Sequence, residues 1–136
     1  MEAKKIIISN KEITFLYIIF FVGIVGHIYD PLRNLMLLLT PATLLLTGLI
    51  VLFYSYKSST NNFLLWAAFT YIITFILEVV GVKTGLIFGE YNYGSTLGIK
   101  LFDVPLIIGF NWVFVILGSI AISRLLTNNI FLSSVI

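Results

Sequence analysis

The run FLLWAAFTYIITFILEVVGV (Phe63–Val82) leads into KTGLIFGEYNYGSTLGIKL (Lys83–Leu101), and that leads into FDVPLIIGFNWVFVILGSIAI (Phe102–Ile122). A hydrocarbon core of about 30 Å needs about 20 helical residues at 1.5 Å per residue. Two stretches of that length therefore flank a segment of quite different composition. Between Glu78 and Lys100 lie two carboxylates, two lysines, two tyrosines and five glycines. A helix that only has to sit in lipid has no need of that chemistry at its end.

The whole chain points to lipid as its solvent. Its 136 residues are 60% hydrophobic and 10% charged, with a mean hydropathy of +1.09. Soluble domains are nearer 45–50% apolar and about 25% charged. With no cysteine there is no disulfide, thiolate nucleophile or thiolate metal site. A single histidine, His27, rules out a metal site built from histidines alone. A net charge of +2, spread along the chain, gives no nucleic-acid footprint. Phosphate-binding glycine motifs are absent, and the first apolar run lacks the small-residue cleavage site of a signal peptide.

Four runs are long or nearly long enough to span: about 13–29, 35–54, 63–82 and 102–122. The fold class expected is all-α, a polytopic membrane helical bundle forming one domain over 1–136. An interfacial or re-entrant loop over 83–101 joins the third and fourth spans. Four spans put Lys4, Lys5, Lys11, Lys57 and Arg124 on one face and Arg33, Lys83 and Lys100 on the other. The positive-inside rule then places the N-terminus in the cytoplasm. The last residues, Asn128–Ile136, read as the start of a further apolar segment cut short.

Polar residues inside the spans are the functional candidates, because charge at membrane depth is costly. Glu78 lies about 6 Å below the interface, four residues from its span's end at 1.5 Å each. Desolvation there favours the neutral acid or a paired cation. Thr70, Tyr71, Thr74 and Glu78 form one helical stripe, which fits either a packing seam or a polar wall. Asp103, Ile107 and Asn111 would share a face of the fourth span. Asn111 reads equally as interhelical glue or as a substrate contact, and Trp112 as packing or a ligand wall. His27 ends the first span after Gly23 and Gly26, at the same membrane face as Glu78. A structural role competes there with a proton relay. Thr40, Thr43 and Thr47 line one side of the second span, where Pro41 frees the Leu37 carbonyl and favours a kink. The glycine-rich loop reads as a lid over a pocket, or as an aromatic anchor through Phe88, Tyr91 and Tyr93.

EVVGVKTGLIFG (Glu78–Gly89), Tyr91-Asn-Tyr-Gly94, Leu97-Gly98, Val104-Pro-Leu106 and Asn111-Trp112 occur in that order, after Gly26-His27 and Leu39-Thr-Pro41. Together they resemble the integral-membrane carotenoid biosynthesis family that includes hydratases such as bisanhydrobacterioruberin hydratase. The resemblance covers about residues 20–124. Family members run longer, so it implies that this chain is their N-terminal part.

The resemblance implies addition of water across a terminal double bond of an acyclic carotenoid end. Protonation of a trisubstituted alkene gives a tertiary cation, which water captures. That needs a positioned acid, a buried water and an apolar slot, with no cofactor or metal. Glu78 is the candidate acid, with Glu90, Asp103 and His27 as further catalytic candidates for handling water and protons. Tyr91, Tyr93, Asn111, Trp112, Lys83 and Thr74 are the candidate substrate contacts, the aromatic rings facing the cation. The expected partners are the lipid bilayer and a carotenoid or isoprenoid substrate, with a second copy or other carotenoid enzymes as further candidates. A prokaryotic cell membrane is the expected location. A lycopene-type cyclase, which traps the same cation with an alkene, and a non-enzymatic carrier or scaffold are the competing readings.

Overall fold

The computed structural model describes residues 10–59 and 62–126. Four helices follow one another: α1 (Asn10–Ile28), α2 (Asp30–Ser58), α3 (Phe63–Thr84) and α4 (Leu106–Leu126). All four are long and apolar enough to cross a membrane. The chain is therefore an all-α polytopic bundle. The α1 helix packs on α2, α2 packs on α4, and α4 packs on α3.

The boundaries follow local chemistry. Tyr29 alone interrupts α1 and α2. It adopts an extended conformation, and Pro31 follows in the first turn of α2, where a missing N–H costs nothing. The residues Asp30–Asn34, read from sequence as part of a break, thus belong to the helix. The 29 residues of α2 extend over about 44 Å at 1.5 Å per residue. That exceeds the hydrocarbon core, so α2 tilts or projects beyond it. The helix runs continuously through Pro41. Thr40, Thr43 and Thr47 turn their hydroxyls back onto the carbonyls of Met36, Leu39 and Thr43, which keeps these donors satisfied within lipid. At the other end of the pair, Tyr54 donates a hydrogen bond to Glu12 and ties α2 to the start of α1.

Contact between α2 and α4 depends on a small residue. A Cβ added at Gly48 would lie 2.3 Å from Phe110 Cε1 and 2.9 Å from Phe114 Cδ1. Gly48 thus acts as the hole into which both rings of α4 pack. The α3–α4 seam is built on Phe75, Val104 and Ile108, with Tyr71, Val79, Val82, Tyr93, Leu97 and Trp112 around them. Tyr71 stacks on Phe75 and donates to the Leu106 carbonyl at 2.9 Å.

One element is not helical. Strands β1 (Lys100–Leu101) and β2 (Val104–Pro105) form a small antiparallel hairpin. Its two-residue turn is Phe102-Asp103, with φ of 52° and 68°. Positive φ at both positions is the turn geometry that matches strand twist. For residues with a Cβ, such a conformation costs about 1–2 kcal/mol each. The turn is held because Val104 and Pro105 are fully buried, and Leu106 N–H closes the hairpin onto the Ile99 carbonyl at 2.9 Å. This corrects the sequence reading at one residue. Asp103 does not share a helical face with Ile107 and Asn111. It is exposed in the turn, and α4 begins only after Pro105.

Replacing Gly48 by Leu should drive the side chain into Phe110 and Phe114 and destabilise the bundle by about 1–3 kcal/mol. Gly118→Ala, where a Cβ would meet nothing within 4 Å, should not lower the melting temperature. Thermal unfolding of the two variants in detergent, followed by tryptophan fluorescence, checks the contrast.

Candidate functional site: a buried carboxyl held by three donors

The end of α3 builds the site. Gly85 terminates the helix in the left-handed region at φ 66°, its N–H bonding the Gly81 carbonyl at 2.8 Å. Glycine occupies this position without steric cost. The chain then reverses through Leu86–Ile99 and returns two tyrosines over the helix it has just left. Gly81 leaves room for them: a Cβ there would sit 3.0 Å from Phe88 and 3.3 Å from the Tyr91 hydroxyl. Lys100 fixes the far side of the loop by donating to the Tyr93 carbonyl.

Glu78 is 5% exposed. The Tyr91 hydroxyl donates to Oε2 at 2.6 Å and the Tyr93 hydroxyl donates to the same oxygen at 2.9 Å. The Trp112 indole N–H donates to Oε1 at 2.7 Å. Three neutral donors, two from the loop and one from α4, thus converge on one carboxyl. This differs from pairing with a cation, one of the two outcomes expected from sequence. When the carboxyl gives up a proton, the anion left behind already has its donors in place.

Aromatic rings enclose these bonds. Tyr91 and Tyr93 meet edge to face at 5.4 Å, Phe88 stacks on Trp112 at 6.3 Å, and Phe88 also meets Tyr91 at 6.3 Å. Burial first, and the hydrogen bond to Glu78 second, push the Tyr91 hydroxyl up to about 12. The same causes raise Tyr93 further. Both tyrosines are therefore neutral donors across the physiological range.

The remaining sequence candidates lie apart from this cluster. Thr74 bonds the carbonyls of Thr70 and Tyr71 on its own helix. Lys83 is exposed, with its ammonium 5.0 Å from the centre of the Phe102 ring. Glu90 is exposed on the loop, its Cγ packed close to Gly85. His27 is exposed, and its Nδ1 lies 2.7 Å from the Gly23 carbonyl. A carbonyl only accepts, so Nδ1 carries the hydrogen. His27 lines an apolar cavity of about 680 Å³ between α1 and α2, with Met36, Leu39, Thr40 and Thr43. Asn111 lies one residue from Trp112, and its Oδ1 is buried with no hydrogen-bond partner among the described residues.

Two features escaped the sequence reading. One is the use of Trp112 as a donor, which no helical spacing discloses because Glu78 is on another helix. The other is Gly81, three residues beyond Glu78. A small residue one turn from an intramembrane carboxyl was the available signal for a side chain arriving from elsewhere.

The chain matches the sequence model of a family described as "Carotenoid biosynthesis protein" over residues 39–136. No curated protein and no solved structure matches it.

Two outcomes test the clamp. Trp112→Phe keeps a ring against Phe88 but strips Oε1 of its donor. It should destabilise the protein by about 1–3 kcal/mol, read as a lowered melting temperature. In alkaline titration, the raised value of Tyr91 means that the neutral hydroxyl contributes its full stability below the usual tyrosine value of 10.0. That contribution is lost as pH rises toward about 12. Tyrosinate absorbance should show a late-ionising component that Tyr91→Phe diminishes.

Proposed function

Because the chain belongs to the carotenoid biosynthesis protein family, we propose that this integral membrane protein is a hydratase that adds water to a terminal double bond of an acyclic carotenoid. The observation that carries the reading is the Glu78 carboxyl, buried at a membrane-helix end with three donors fixed on it. Hydration of an unactivated alkene begins with proton transfer to carbon. The acid must be aimed, shielded from bulk water, and able to leave a stabilised anion. Burial shields Glu78 from bulk water and its three donors stabilise the anion, and in this reading its protonated form is the proton donor.

The second need is to stabilise the tertiary cation. Phe88, Tyr91, Tyr93 and Trp112 supply ring faces around the carboxyl, and the Glu78 anion lies among them. The third need is a place for water. Glu90 and Asp103 are exposed at the loop, whereas Asn111 Oδ1 is a buried acceptor without a protein partner among the described residues. In this reading Asn111 accepts a hydrogen bond from the water that captures the cation. The C–O bond forms from the water oxygen, which then releases one proton. The reaction is redox-neutral.

Glu78→Gln keeps the side chain's size and loses the transferable proton. In a host that makes acyclic carotenoids, it should lower hydrated pigment by about 10²–10⁴-fold in rate, with pigments resolved by chromatography and mass. Undiminished hydrated product would sink the assignment. A product of unchanged mass but altered chromatographic mobility would instead indicate cyclisation, since only hydration adds the mass of a water.

A further inference from the structure

The two oxygens of Glu78 are not equivalent. Oε1 faces the Trp112 indole N–H, which can only donate. Oε1 must therefore accept whatever the state of the carboxyl. A proton on Glu78 is confined to Oε2, which faces two hydroxyls. A hydroxyl both donates and accepts, so either tyrosine can exchange a proton with Oε2 without moving.

Their surroundings separate the two tyrosines. Tyr93 packs against the core of Phe75, Val104 and Ile108, as does Trp112. Its carbonyl is held by Lys100. Tyr91 is not part of that core cluster; it lies between Tyr93 and Phe88, and Phe88 is 49% exposed on the loop. Tyr91 also makes the shorter bond to Oε2, 2.6 Å against 2.9 Å.

We propose that Tyr91 is the proton conduit that reloads Glu78 from the aqueous face, with Tyr93 and Trp112 as positioning residues. This rests on the reading of Glu78 as the acid. In the reloading step the Tyr91 O–H bond breaks and an Oε2–H bond forms. In the same step hydronium at the loop face protonates the Tyr91 oxygen, so the hydroxyl stays neutral throughout and the hydronium is left as water. The tyrosine ends unchanged, one proton has moved inward, and nothing is oxidised or reduced. A separate proton is released from the water whose oxygen becomes the alcohol, so the hydration cycle balances.

The test uses the full chain in liposomes with lycopene as the probe substrate, in H2O and in D2O. Tyr91→Phe should slow conversion by about 10²-fold and enlarge the solvent deuterium effect, because proton return becomes limiting. Tyr93→Phe should slow conversion less and leave the deuterium effect as in the unsubstituted protein. Conversion by Tyr91→Phe at the unsubstituted rate, or the larger isotope response in Tyr93→Phe, would overturn the conduit while leaving Glu78 as the acid. Full turnover by Glu78→Gln would overturn the reading beneath it. If Tyr91→Phe does not fold, 3-fluorotyrosine at position 91 keeps the bond and changes only the hydroxyl's acidity. A rate insensitive to that change also overturns the proposal.

Discussion

A carboxyl group buried in a membrane protein must be given hydrogen-bond donors, and the architecture around Glu78 follows from that requirement. An isolated charge in a low-dielectric site is expensive, and a neutral acid there still needs partners for its oxygens. The α3 helix cannot supply them, because its own N–H groups are committed to its backbone ladder. The donors have to come from outside the helix. Two arrive from the loop after Gly85 and one from α4. The connection between the third and fourth helices therefore has two tasks, to reverse the chain and to place Tyr91, Tyr93 and Trp112 at three points around one side chain.

That second task accounts for the hairpin. A simple loop between two membrane helices does not need a β-turn with two non-glycine residues at positive φ. Phe102 and Asp103 adopt that conformation and bring Val104 and Pro105 into full burial against α3. Val104 sits in the same cluster as Phe75 and Ile108, and Tyr93 and Trp112 pack on that cluster. The strain at the turn thus fixes where α4 starts, and with it the reach of the Trp112 indole. Local backbone cost is offset by core packing, and the packing sets the geometry of the polar site.

Much of this was legible in the sequence, and the exceptions have physical causes. Composition and run length gave the four apolar helices, since the bilayer enforces both. Glu78 stood out for the same reason. The loop's tyrosines could be singled out by type but not by partner, because the separation of Glu78 from Tyr91 spans a chain reversal with no fixed period. Asp103 was misplaced because the apolar run continues through Phe102 and Val104, and hydropathy does not register a turn only two residues long. His27 shares a membrane face with Glu78 by topology, yet α1 packs on α2 rather than on α3. Sidedness alone therefore does not bring residues together.

Under the proposed acid role for Glu78, the donor set lets one carboxyl suit both halves of the cycle. A site built only for the neutral acid would place an acceptor beside its proton, and the anion would then face a repulsive lone pair. A site built only for the anion would use donors with no accepting ability, and the protonated form would clash with them. Here the indole serves the first oxygen as a fixed donor, and hydroxyls, which can reverse direction, serve the second. The same three side chains can satisfy Glu78 before and after proton loss with no change in heavy-atom positions. Preorganisation of this kind lowers the reorganisation needed at the moment of reaction. It is available only where the second oxygen is met by hydroxyls, and in this chain they come from the glycine-rich loop.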